Sequence, residues 1–189
     1  MGLDSFIFKI SRPEHLEKKQ YTVKEIESIG LVCIPYQRLT QDSKDNLRCC
    51  VAERDVENLY YDLEKIRAEY NLSEAAEIGA LMGDGSIDVV DSSEENPFIR
   101  VSISHDEIKE KFILRQTDKC YVFRRETIKQ WRSEFEISAF FNEEVGPTNY
   151  TSYYQVDEDL AYKFNDCFNE TIPTRSMPEG TGLFYYEWF

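Results

Sequence analysis

Residues 157–168 read Asp-Glu-Asp-Leu-Ala-Tyr-Lys-Phe-Asn-Asp-Cys-Phe, and residues 182–189 read Gly-Leu-Phe-Tyr-Tyr-Glu-Trp-Phe. In the first, Leu160, Ala161, Phe164, Cys167 and Phe168 fall on one stripe behind an Asp157 cap, the pattern of an amphipathic helix. The second is an apolar, aromatic run too dense to dangle in water, so it is expected as a strand inside a sheet. Helical and extended material therefore occur together.

The same mixture extends toward the N-terminus. Ser5–Ile10 puts Phe6, Phe8 and Ile10 on one side of a strand. Thr22 and Glu25 form a capping box, with Val23 and Ile26 giving the short helix its buried side and Gly30 ending it. Leu31 to Tyr36 reads as a second strand. From Asp55 to Tyr70, the positions Val56, Leu59, Tyr60, Leu63, Ile66 and Tyr70 repeat at helical spacing, which predicts a long helix. A second helix is expected over residues 74–81. Residues 87–90 read as a strand, 91–97 as an acidic loop, and 98–104 and 120–123 as strands. A helix from Glu126 to Phe141 would carry Ile128, Trp131, Phe135 and Ala139 on one face, before Gly146-Pro147. Strands and helices follow no regular βαβ rhythm, which implies an α+β fold, a mostly antiparallel sheet packed by amphipathic helices. The chain reads as a single domain, 1–189, with an acidic insertion at about 68–99. Loops 37–54 and 142–156 are long enough to carry function.

Composition narrows the functional classes. The chain has 36 acidic and 22 basic residues, a net charge of −14, which argues against direct binding to a nucleic-acid backbone. No apolar run approaches the roughly 20 residues of a membrane-spanning helix. The N-terminus lacks a basic start and an apolar stretch, so a cytoplasmic location is expected. Five cysteines (Cys33, Cys49, Cys50, Cys120 and Cys167) and two histidines (His15 and His105) give neither a regular disulfide framework nor zinc-ligand spacing. No phosphate-binding glycine motif is present, so no cofactor is expected.

The charge is banded. No basic residue lies between Arg67 and Arg100, whereas residues 109–132 carry eight basic against three acidic side chains. Residues 134–170 are acidic again, with nine carboxylates opposed only by Lys163. Within the first acidic band, Glu74, Glu77, Asp84, Asp88, Asp91, Glu94 and Glu95 form the candidate contact set for a partner. Asp84, Asp88 and Asp91 approach a turn together, but their spacing is not that of an EF-hand.

Four segments carry a family likeness: Met1-Gly-Leu-Asp4 with Phe6, Phe8 and Lys9; Trp131-Arg132 through Phe140-Phe141; Tyr154-Gln-Val-Asp-Glu-Asp-Leu160; and Gly182 through Trp188. They resemble small uncharacterised proteins common in bacteriophages and prophages, over residues 1–10 and 121–189. That family usually has an Ile-His before the aromatic end of its tryptophan-bearing helix, where this chain has Ile137-Ser138. The resemblance implies a phage or prophage origin and no particular reaction.

Nucleophilic chemistry has no local signature. Cys33 and Cys167 are expected as small core residues, and His105 as a strand-to-helix turn residue. Ser102 and Ser104 lack the glycine elbow of a hydrolase. The basic stripe with Tyr121, Phe123 and Trp131 reads as a core face with wet cations that pair with an acidic band. Electrostatic recognition remains. The expectation is a non-enzymatic, phage-type inhibitor whose carboxylates imitate nucleic-acid phosphates and occupy the basic groove of a host nucleic-acid-handling protein, as an anti-CRISPR protein would. Two alternatives are a small enzyme with Cys49, Cys50 or His105 in its site, and an accessory protein self-associating through residues 183–189.

Overall fold

The computed structural model describes residues 3–81, 85–95, 97–147 and 152–188. In chain order the elements are β1 (Asp4–Ser11), β2 (Gln20–Thr22), α1 (Val23–Ser28), β3 (Val32–Pro35), α2 (Gln41–Leu47), β4 (Ala52–Tyr61), α3 (Leu63–Tyr70), β5 (Glu77–Leu81), β6 (Ser86–Asp91), β7 (Ile99–Ser104), α4 (His105–Lys111), β8 (Ile113–Arg132), α5 (Phe135–Val145), β9 (Tyr154–Gln155), α6 (Glu158–Phe168) and β10 (Thr181–Trp188). This is an α+β fold. It divides into two compact units, residues 1–57 with 117–189, and residues 58–116. The acidic stretch 68–99 lies inside the second. No described helix is long and apolar enough to cross a membrane.

The larger unit is built on a sheet ordered β2-β4-β8-β1-β10-β9, with β3 also pairing β8. β1 lies antiparallel between β8 and β10, β9 and β3 add antiparallel, and β2 pairs β4 in parallel. The aromatic terminus lies within the sheet, as its composition predicts: β10 pairs β1 from Asp4↔Trp188 to Ser11↔Thr181 and pairs β9 at Phe184 and Tyr185. The period of two sends alternate residues to opposite faces. Ile7, Leu183 and Tyr185 pack with Ile137 and Phe141 of α5 and Leu160, Ala161 and Phe164 of α6. Phe8, Ile10 and Phe184 face the other way, onto Leu39, Leu47, Cys50, Phe123 and Tyr153. The capping box is formed as read: Thr22 Oγ1 accepts from the Glu25 amide at 3.2 Å, and Glu25 Oε2 from the Thr22 amide at 2.9 Å.

Several expected helices are strands. The stretch 55–70 divides into β4 and α3, with the Asp62 carboxylate accepting from the Lys65 amide at the break. Val56 is fully buried but Leu59 is 61% exposed, the outcome of a two-residue period. The decisive partner is distant: Val56 sits opposite Tyr21 of β2. Residues 126–132 belong to β8, zipped against β1 to the Asp4↔Arg132 pair. Ser133, at φ +58°, turns the chain into α5. In the loop read over 37–54, Thr40 caps the short helix α2, which buries only Ser43 and Leu47 and so shows no apolar stripe. Cys167 is exposed, because it falls at the edge of the α6 stripe in the last turn. Cys33 is half-buried.

The smaller unit packs α3 and α4 on one face of an antiparallel sheet ordered β5-β6-β7. Ile66, Ile108 and Phe112 meet Ile87, Val89 and Ile103 there. The helix expected over 74–81 is strand β5, in which Glu77 and Ile78 pair with Val90 and Val89. Backbone pairing and the hydroxyl use described below outcompete a helix that Gly79 would weaken. His105 opens α4 directly after β7, behind a Ser104 cap, as expected of a strand-to-helix residue.

Candidate functional site

The sequence-selected carboxylates belong to the smaller unit, which carries 13 acidic against 6 basic residues. Strand β6 decides their roles. Ile87, Val89 and Asp91 alternate onto its inner face, so Asp91 occupies a core position and is fully buried. A buried carboxylate needs hydrogen bonds to be tolerated. The Ser73 hydroxyl donates to it at 2.5 Å, the Ser73 amide at 2.9 Å and the Ser93 amide at 3.3 Å. The Ser73 hydroxyl, then its amide, holds the Asp91 carboxyl below its ordinary range, against the opposing effect of burial.

These bonds organise the neighbouring acids. They tie the start of the 73–76 segment to the end of β6. The Arg67 guanidinium grips the same segment, donating to the Glu74 carbonyl at 2.6 Å and the Ala76 carbonyl at 3.2 Å while pairing with Glu64. Glu77 pairs with Val90, and Asp91 with Ile99. Glu74 and Glu77 therefore reach the same end of the sheet as residues 92–95, which include Glu94 and Glu95. All four are exposed. Phe98, 70% exposed, stands at that end too, with the Arg100 guanidinium 5.9 Å from its ring centroid.

The other nominated acids differ. Asp88 projects from the outer face, where Ser102 Oγ donates to it at 3.0 Å and Arg100 Nε lies 3.8 Å away. Asp91 is an internal fastener and offers nothing to a partner, a correction to the contact set. Asp84 lies outside the described residues. Asp88 and Asp91 are three residues apart on one strand and so face opposite ways, which prevents them from sharing a cation. Sequence alone gives Phe98 as a strand residue; the signal that marks it is its place just behind the acidic stretch and Pro97.

Part of the basic stripe is paired internally. Lys111 meets Glu69 and Glu107, both at 3.6 Å, and Lys129 meets Glu170 at 3.0 Å. Lys119 pairs with Glu53 at 3.0 Å. Among the thiols, burial pushes Cys33 and Cys50 up, toward the neutral form, whereas a nucleophile requires the reverse. Cys49 and Cys167 are exposed. His15 lies exposed beside Glu14 at 3.8 Å.

No protein-family model, no curated protein and no solved structure matches the chain.

Proposed function

We propose that this is a non-enzymatic binding protein that presses the acidic end of its smaller unit onto a basic surface of another protein. The observation that carries the reading is that exposed Glu74, Glu77, Glu94, Glu95 and Phe98 all lie at one end of the smaller sheet, where the Ser73–Asp91 bonds fasten the chain. Carboxylates at one end of a rigid sheet steer a cationic partner at long range. An exposed aromatic among them supplies the apolar anchor that dominates interface energetics.

The partner class we favour is a host protein whose basic groove holds nucleic acid, with the carboxylates standing in for phosphates. The protein would then act as a phage-type, anti-CRISPR-like inhibitor, a reading supported by the net charge and by the resemblance of residues 1–10 and 121–189.

The test is capture from a bacterial lysate on the immobilised protein, washed at low and at moderate salt. Basic nucleic-acid-binding proteins should be retained at low salt and released as salt rises. A variant combining Glu74→Lys, Glu77→Lys, Glu94→Lys and Glu95→Lys should lose them. One combining Glu143→Lys, Glu158→Lys and Asp159→Lys, in the larger unit, should retain them. Equal capture by the first variant and the unmodified protein would overturn the reading.

A further inference from the structure

On the sheet face of the larger unit opposite α5 and α6, Phe6, Val32, Ile34 and Tyr186 are only partly buried. Phe6 and Phe8 stack there with ring centroids 5.1 Å apart, Tyr186 lies 5.9 Å from Phe8, and Tyr153 lies 4.8 Å from Tyr186. Beside this cluster a cavity of about 650 Å³ opens, walled by Val32 and Ile34 and by Tyr153 and Tyr186. That volume is in the range of small-molecule sites, roughly 300–1,000 Å³.

Its charge is the informative feature. Carboxylates outnumber cations 36 to 22 in the chain, yet among the described residues this cavity is lined by two guanidinium groups, Arg38 and Arg125, and by no carboxylate. Arg125 is held in place: its guanidinium lies 4.6 Å from the Phe8 ring centroid, and Nη1 donates to the Tyr153 hydroxyl at 3.4 Å. Burial pushes the Tyr153 hydroxyl up to about 12, so it stays protonated at neutral pH. Arg38 ends the 3₁₀ turn Tyr36–Arg38, and it is exposed. A guanidinium presents a planar fork that matches carboxylate and phosphate oxygens, and aromatic walls favour a flat ring.

We propose that this cavity binds a small aromatic anion, with its ring against Tyr153, Tyr186, Val32 and Ile34 and its phosphate or carboxylate on Arg38 and Arg125. The site belongs to the larger unit, and the proposal does not rest on the role of the acidic end of the smaller one.

Calorimetric titration of the full chain with four probes tests this: AMP, indole-3-acetate, adenosine and inorganic phosphate. AMP marks a phosphate ligand and indole-3-acetate a carboxylate ligand; at least one should bind. Adenosine, a ring without charge, and phosphate, a charge without a ring, should each bind about tenfold more weakly or worse than that anion. The Arg38→Met/Arg125→Met variant, checked for an unchanged circular dichroism spectrum, should lose about tenfold in affinity or more. Amide shifts in the unmodified protein should move at Arg38, Tyr153 and Tyr186, a readout that survives if the variant misfolds. Binding by neither anion, equal binding of adenosine and AMP, undiminished binding by a folded double variant, or shifts confined elsewhere would each overturn the assignment.

Discussion

Ser73 gives the buried Asp91 carboxylate two hydrogen bonds, one from its backbone amide at 2.9 Å and one from its hydroxyl at 2.5 Å. A residue that would cap a helix in isolation instead fastens the segment before β5 to the end of β6. Because the hydrogen bonds lower the Asp91 pKa in the folded state, their contribution is complete above the unfolded value of about 3.9 and is lost as pH falls through the lowered folded value. Asp91→Asn should therefore be less stable than the unmodified protein at neutral pH, and the gap should narrow on acidification. Urea unfolding at several pH values checks this; a gap independent of pH would assign the loss to packing.

Gly79 sits where β5 loses register, between Ile78 and Leu81. A Cβ there would stand 2.9 Å from the Asp88 carbonyl oxygen, a backbone atom that cannot swing aside. Gly79→Ala should cost about 1–3 kcal/mol, read as a lowered urea midpoint. An unchanged midpoint would show that the strands separate without strain.

Helix α5 offers an internal comparison. Phe141 is fully buried and stacks on Tyr185 with centroids 3.7 Å apart, whereas Phe135 on the same helix is 68% exposed. Phe141→Ala should cost about 3–5 kcal/mol, and Phe135→Ala within about 0.5 kcal/mol of nothing. Equal losses would contradict the placement of α5 on the sheet.

The cysteines divide by exposure. Cys49 and Cys167 are exposed, Cys50 and Cys120 are buried and Cys33 is half-buried. Iodoacetamide at neutral pH should modify Cys49 and Cys167 first and spare Cys50 and Cys120 until the chain is unfolded, with sites read by mass spectrometry. Cys33, whose thiol burial pushes up, should fall between. Early modification of Cys50 would revive the cysteine-enzyme reading.

Phe98 separates binding from folding. Its ring is 70% exposed, so Phe98→Ala should leave unfolding within about 0.5 kcal/mol while weakening lysate capture as strongly as loss of a hot-spot side chain, on the order of 2 kcal/mol. Full capture by this variant would remove the aromatic anchor from the proposed interface.

What the sequence determined by itself is the local chemistry. The Thr22–Glu25 box closes within four residues, and the Asp157 carboxylate accepts from the Leu160 amide at 2.8 Å three residues on. The alternations through Phe6, Phe8 and Ile10, and through Ile87 and Val89, needed only the two-residue pleat. Such bonds and periods require no distant partner, so they are readable in order along the chain. The α+β class followed from them.

Tertiary structure decided the rest. Val56, Leu59, Tyr60 and Leu63 repeat at helical spacing, yet only Leu63 is helical; Val56, Leu59 and Tyr60 belong to β4, committed by pairing with β2, more than thirty residues earlier, and with β8. Trp131 is likewise committed by its place opposite Ser5. By composition Asp91 belongs with the solvent-facing acids, yet the pleat turns it inward and Ser73 satisfies it. Charge in sequence states how many carboxylates exist. Which of them face water depends on strand register, a property of two segments together, and that is why the acidic end of the smaller sheet became visible only once the chain was folded.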